Sequence, residues 1–161
     1  MNVTFILNGE DVACTAGALD RLSELLRDTF GMASVNTDCG SGRCGTCLVL
    51  MDGRPVNSCL VPAFRARDCE IITYEGFSRT DDYVRVQAAF DRHGVDLCPF
   101  CRPARYLAIG SAMDARSDSR GADLPSVLSS VLCTCSSPAA VLAAAMDALA
   151  GRQGPRYSRD H

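Results

Sequence analysis

The sequence predicts an α+β fold in two parts, a small roll of short strands followed by a four-helix bundle. Three observations carry this reading. Val3, Phe5 and Leu7 alternate with other residues at the period of a half-buried strand. Asn8-Gly9 and Asp52-Gly53 are tight-turn pairs lying between short apolar runs. After Glu75-Gly76 the alternation stops, and helix caps with helical spacing take over.

The elements follow in order. The first strand turns at Asn8-Gly9, and Val12 begins the return strand. Leu19, Leu22, Leu25 and Leu26 recur at helical spacing and stop before Gly31. Cys47 to Met51 is a short apolar strand, Arg54 to Leu60 runs back from the turn, and Cys69 to Tyr74 is a further strand. Short strands around one helix make a small α+β roll. In the second half, Thr80 or Asp81 caps a helix bearing Tyr83, Val84, Ala88 and Phe90 that ends near Gly94. A second helix is expected over Pro103 to Ala115. A third is capped by Asp123 and carries Leu124, Val127, Leu128, Val131 and Leu132 on its apolar side. Ser137-Pro138 opens a fourth, bearing Val141, Leu142, Ala145, Met146 and Leu149 and ending at Gly151. Arg116 to Ala122 reads as a polar loop.

With 161 residues, 47% of them hydrophobic, the chain has material for one ordinary domain or two small ones. The expected division is 1–76, 77–151 and an irregular tail at 152–161. A net charge of -3, with no basic block, gives nucleic-acid binding no support. No apolar run approaches a membrane span. The N-terminus lacks a basic segment ahead of a long apolar one, so no export signal and a cytoplasmic chain are expected.

Cysteine is the outlier, at ten residues. Disulfide scaffolds are usually short, secreted and poor in core residues, whereas close cysteine pairs in a cytosolic chain more often bind metal. Cys39, Cys44 and Cys47 follow C-x4-C-x2-C, with Cys59 beyond, the plant-type [2Fe–2S] spacing. Four thiolates must converge on one small cluster, so the loop must wrap closely. Gly40, Gly42 and Gly45 permit positive φ and let backbone N–H groups face sulfur. Ser41 and Thr46 add hydroxyl donors. Zinc knuckles favour two separated C-x2-C pairs over this arrangement. Cys98, Cys101, Cys133 and Cys135 form a second group, C-x2-C…C-x-C, at two corners that a bundle folds together. Taken alone, this second pattern suits zinc nearly as well as iron and sulfur.

Together these marks resemble the small, two-cluster iron–sulfur subunit of the molybdenum hydroxylases, the xanthine dehydrogenase, aldehyde oxidoreductase and carbon monoxide dehydrogenase family. The resemblance covers about residues 2 to 150. It rests on "LNGEDV", "LSELLRD", "CGSGRCGTCLVLMDGRPVNSCL", "ITYEGF", "VQAAF" leading to "CPFC", and "LCTC" before the last helix. It implies a ferredoxin-like β-grasp domain followed by a helical domain, each with one [2Fe–2S] cluster. Cys39, Cys44, Cys47 and Cys59 would hold the cluster nearer the flavin, and Cys98, Cys101, Cys133 and Cys135 the one nearer the molybdenum. A large partner subunit would carry molybdopterin and another FAD, in a heterotrimer or a dimer of heterotrimers. The chain would conduct electrons and do no substrate chemistry itself. The rival readings are a ferredoxin-like carrier for another flavoenzyme, and a protein with one [2Fe–2S] cluster and structural zinc.

The second motif departs from the family. The usual run is Q-C-G-x-C-x-P-G, whereas here Leu97, Pro99 and Ala104 replace the Gln and the two Gly. Thr134 stands where Arg is usual between the last two cysteines, and "CTCSSP" replaces C-R-C-T-G-Y. Pro99 removes a backbone donor near a sulfur, and Arg102 offers positive charge there. The expectation is a divergent branch with an altered interface to its large subunit.

Cys14 and Cys69, on expected strands, read as small buried hydrophobes. His93 meets a helix C-terminus, and His161 is terminal. No paired carboxylates, Ser–His arrangement or phosphate loop stands out.

Overall fold

The computed structural model describes residues 1–113 and 124–150. Five strands form one mixed sheet in the order β2-β1-β5-β3-β4. β1 (Asn2–Leu7) and β2 (Glu10–Thr15) are an antiparallel hairpin turned by Asn8 and Gly9, both at positive φ. β3 (Leu48–Met51) and β4 (Arg54–Asn57) form a second hairpin, turned by Asp52 and Gly53. β5 (Glu70–Ile72) lies between the hairpins, parallel to β1 and antiparallel to β3.

Burial explains two different sequence patterns. β1 buries Val3, Phe5 and Leu7 on one face, hence its alternation. β3 is covered on both faces, hence its unbroken apolar run. Val49 and Ile71 point into an apolar cluster with Leu22, Leu25, Leu26 and Val35. Leu48, Leu50 and Ile72 point the other way, into the cluster built by the helices.

The first helix is shorter than its leucine spacing suggests. α1 is Leu22–Glu24, followed by a wider π-type turn at Leu25–Thr29. Gly17 N–H donates to the Asp20 carboxylate and Arg21 N–H to that of Glu24, so the helix starts after Arg21. Leu19 is left outside it, 94% exposed. The strand expected from Cys69 to Tyr74 narrows to Glu70–Ile72, because Tyr74 opens α2 (Tyr74–Phe77), which the sequence reading missed. The strand expected to reach Leu60 stops at Asn57. A 3-10 turn, Ser58–Leu60, takes over, and another spans Ala63–Ala66.

α3 (Asp81–Arg92) is capped as expected by the Thr80 hydroxyl, which accepts from Tyr83 N–H. Its buried face is Val86, Ala89 and Phe90, while Val84 is exposed. α4 (Arg102–Met113) is nearly all buried and packs on α2, α3, α5 and the β3–β4 hairpin, where Ser111 donates to the Gly53 carbonyl. α5 is Leu124–Ser129, so Val131 and Leu132 fall beyond it. α6 (Pro138–Ala150) packs against α3, where Arg92 and His93 meet Asp147. Leu132 and Met146, expected on apolar faces, are exposed. The Asp123 cap, the 116–122 loop, the Gly151 stop, the 152–161 tail and His161 lie outside the described residues.

Candidate metal centre

The loop 39–47 joins the π-type turn region to β3, so its end is anchored in the sheet. Cys39 and Cys44 bring their sulfurs to 3.3 Å. Cys47 and Cys59 face one another, because Ser58 N–H and its hydroxyl both donate to the Cys47 carbonyl. The first four cysteines thus stand two and two. The Cys44 backbone N–H points at the Cys39 sulfur, and the Thr46 hydroxyl lies 3.1 Å from the Cys44 sulfur. Backbone donation from Cys44 and then Ser41 lowers the Cys39 thiol to about 6. Burial raises the Cys47 thiol to about 11. Gly40, Gly42 and Gly45 all adopt positive φ, as the motif requires.

The second group gathers Cys98 and Cys101, ahead of α4, with Cys133 and Cys135, between α5 and α6. Their four sulfurs lie within 4.8 Å of one another. The nearest pairs are Cys98–Cys133 and Cys101–Cys135, each at 3.5 Å, and Cys98–Cys101 at 3.7 Å. Burial works to raise the Cys135 thiol, but the backbone donor of Cys98 and the neighbouring thiols outweigh it and bring it to about 6. Burial raises the Cys101 thiol well above its ordinary value, and the Arg105 charge works against that rise.

The two groups touch. Leu132 N–H donates to the Cys44 carbonyl at 3.0 Å, so one hydrogen bond separates a cysteine of one group from the residue before Cys133 of the other. A Cβ at Gly45 would come within 2.5 Å of the Ser130 carbonyl oxygen, so glycine permits this approach.

The donor chemistry fits iron–sulfur clusters. All eight atoms are sulfur, which disfavours hard cations. Backbone and hydroxyl donors face the sulfurs of the first group, as a reducible anionic cluster requires. Cys14 and Cys69 are elsewhere, each half-buried and donating to backbone carbonyls, with thiols raised by burial. Both pack against the core of the sheet but are only partly buried, and Cys69 precedes β5 rather than lying in it. Arg102 does not turn to the sulfurs, since its guanidinium pairs with Asp96 at 2.6 Å. The cation beneath the second group is Arg105, which the sequence reading missed. Its signal was the spacing of four from Cys101, which puts the two side chains on one helical face.

The chain is similar to known iron–sulfur proteins. Residues 73–146 match the [2Fe-2S] binding domain family. The chain is 32% identical to the nicotinate dehydrogenase small FeS subunit of Eubacterium barkeri, over 84% of this chain and 86% of that one. It is 29% identical to the nicotine 6-hydroxylase small subunit of Paenarthrobacter nicotinovorans, over 88% of this chain and 86% of that one. Among solved structures, quinoline 2-oxidoreductase from Pseudomonas putida 86 superposes with a TM-score of 0.74 at 28% identity, covering 92% of this chain and 95% of that one. Aldehyde oxidoreductase from Desulfovibrio gigas superposes with a TM-score of 0.79 at 27% identity, covering 93% of this chain and 17% of that one. Converging sulfurs and small-subunit relatives matched over most of their length lead to one conclusion: the chain belongs to the family of small iron–sulfur subunits of the molybdenum hydroxylases.

Proposed function

We propose that the chain carries two [2Fe–2S] clusters and conducts electrons between them within a molybdenum-dependent hydroxylase or dehydrogenase. Cys39, Cys44, Cys47 and Cys59 hold the first, and Cys98, Cys101, Cys133 and Cys135 the second. Electrons leave a molybdopterin site on a large subunit, enter through the second group, leave through the first and reach FAD on another subunit. The complex is a heterotrimer or a dimer of heterotrimers in the cytoplasm. The strand order, with its central parallel pair, supports a β-grasp domain over 1–76. The helices support a four-helix domain over 77–151, with 152–161 as a tail.

The observation that carries this reading is the contact between the two groups. A conductor needs its stations close and fixed, and the Leu132–Cys44 hydrogen bond ties the loop of one to the arm of the other. Each bound cluster supplies a one-electron site. The chain's own residues orient the thiolates, aim N–H groups at them and hold the loop that spaces them. Among the described residues no helix is long and apolar enough to cross a membrane.

One observation favours a second reading for the helical half. Four sulfurs within 4.8 Å also suit a single tetrahedral ion, for which Zn–S bonds of about 2.3 Å are usual. Metal analysis separates the two. Two clusters predict about four irons and about four labile sulfides per chain, with distinct paramagnetic signals from each cluster on reduction. One iron pair with one zinc defeats the two-cluster reading. Co-purification of the chain with molybdopterin and FAD subunits supports the proposed place in the complex, and co-purification with a different flavoprotein overturns it.

A further inference from the structure

We propose that Arg105 positions the Cys133 arm of the second cysteine group and, by its charge, sets the reduction potential of the cluster held there. The inference rests on the two-cluster reading above.

Arg105 lies in the first half of α4, and its N–H donates to the Cys101 carbonyl one turn back. Only 4% of it is exposed. Its Nη2 donates to the carbonyls of Cys133, at 3.1 Å, and Val131, at 3.3 Å. Those two carbonyls bracket Leu132, whose own N–H is given to Cys44. Arg105 therefore holds the carbonyls on either side of the residue whose N–H the first cysteine loop holds. Its Nε and Nη1 have no hydrogen-bond partner, and among the described residues no carboxylate pairs with it. It shares the lining of an apolar cavity with Leu128, Val131, Leu132, Val141 and Leu142.

A cation in such a place is costly unless an anion is near. The second group supplies that anion. Four thiolates and two sulfides outweigh two ferric ions, and one added electron makes the cluster more negative still. A fixed positive charge in an apolar surround stabilises the reduced form more than the oxidised form. The need is local, because Pro99 between Cys98 and Cys101 has no N–H to offer a sulfur. Arg102 spends its charge on Asp96. The carbonyl contacts alone describe a brace, and the unpaired charge beside Cys101 makes it an electrostatic one.

The test is a dithionite titration of the cluster-loaded full chain, followed by electron paramagnetic resonance, on wild type, Arg105→Met and Arg105→Lys. In Arg105→Met the midpoint of one signal is expected to fall by at least about tenfold in the reduction equilibrium, 59 mV for a one-electron couple. The other signal stays in place and serves as the internal control. Arg105→Lys is expected to recover most of the shift. If Arg105→Met loses half its iron, Arg105→Lys must still hold about four irons with a near-wild-type midpoint. An unmoved signal in loaded Arg105→Met overturns the inference, as does an Arg105→Lys that behaves like Arg105→Met. Zinc in the second group of the wild-type chain overturns the two-cluster reading itself, and the inference with it.

Discussion

Gly45 sits where two requirements meet. Its φ of +71° is one that L side chains rarely adopt, and its missing Cβ leaves room for the Ser130 carbonyl. Gly94 also has positive φ, but nothing lies within 4 Å of a Cβ there. The pair separates backbone strain from collision. Gly94→Ala is expected to cost about 1 kcal/mol, and Gly45→Ala at least about 2 kcal/mol, with weakened binding at both cysteine groups. Urea denaturation measures the difference, and equal costs would show that the collision does not matter. At this scale the grouping of the cysteines was legible, because their spacing is written in a local motif or in close pairs; the structure gathers the second group within 4.8 Å and leaves the first standing two and two. The cation was not legible. Arg102 and Arg105 share one short segment, and only packing sends one to Asp96 and the other beneath the sulfurs.

Elements are joined here by small polar clasps. Glu75, in the first turn of α2, accepts from Ser34 N–H at 2.9 Å, the Ser34 hydroxyl at 2.7 Å and the Thr73 hydroxyl at 2.7 Å. Burial alone raises its carboxyl, but these donors outweigh burial and hold it below its ordinary value. A depressed carboxyl stabilises the fold above the unfolded pKa, about 4.3 for Glu, and that contribution is lost as pH falls through the lower folded value. Wild-type stability should therefore drop more steeply than that of Glu75→Gln as the medium is acidified below about pH 5. The charge-assisted donors set the scale of the neutral-pH difference at about 1–2 kcal/mol. Unfolding curves across that range check it, and parallel slopes would remove Glu75 from the account. Thr80→Ala deletes the cap of α3 and is expected to cost about 1 kcal/mol by the same assay.

Element types were largely readable, and their limits less so. The Asn8-Gly9 and Asp52-Gly53 turns are short-range chemistry, and both hairpins form there. Leu19 carries the right spacing but precedes the Arg21–Glu24 cap, which starts the helix too late to include it. Leu132 has the spacing of a third helix, but its N–H goes to Cys44, so the chain leaves helical geometry before it. A periodic pattern cannot register a hydrogen bond to a residue almost ninety positions away.

Over the whole molecule, the second cysteine group lies on a surface with apolar residues beside it. Leu132 is 60% exposed, and Phe100 is also exposed. An apolar cavity of about 730 Å³ opens beside Cys133 and Thr134, between α5 and α6. In the proposed complex this face receives the large subunit. Leu132→Ala trims the exposed side chain, adds no carboxylate beside Arg105 and spares the N–H bond to Cys44, so iron content should hold while co-purification with the large subunit falls at least about tenfold, a loss of about 1.4 kcal/mol. Undiminished co-purification would place the partner elsewhere. Cys135→Ser is expected to leave about half the iron and one paramagnetic signal.

The sequence by itself determined the α+β class, the two hairpins, the helical second half and the grouping of eight cysteines into two sets by their spacing. Each of these depends on neighbours a few residues apart. Only the tertiary structure decided how closely the four sulfurs of the second group gather, that Leu132 hands its N–H to Cys44, and that Arg105 rather than Arg102 lies beneath that group. Those contacts join residues brought together by the packing of α4 against α5 and the sheet, and the free energy that selects them is shared across the buried core rather than carried by any one motif.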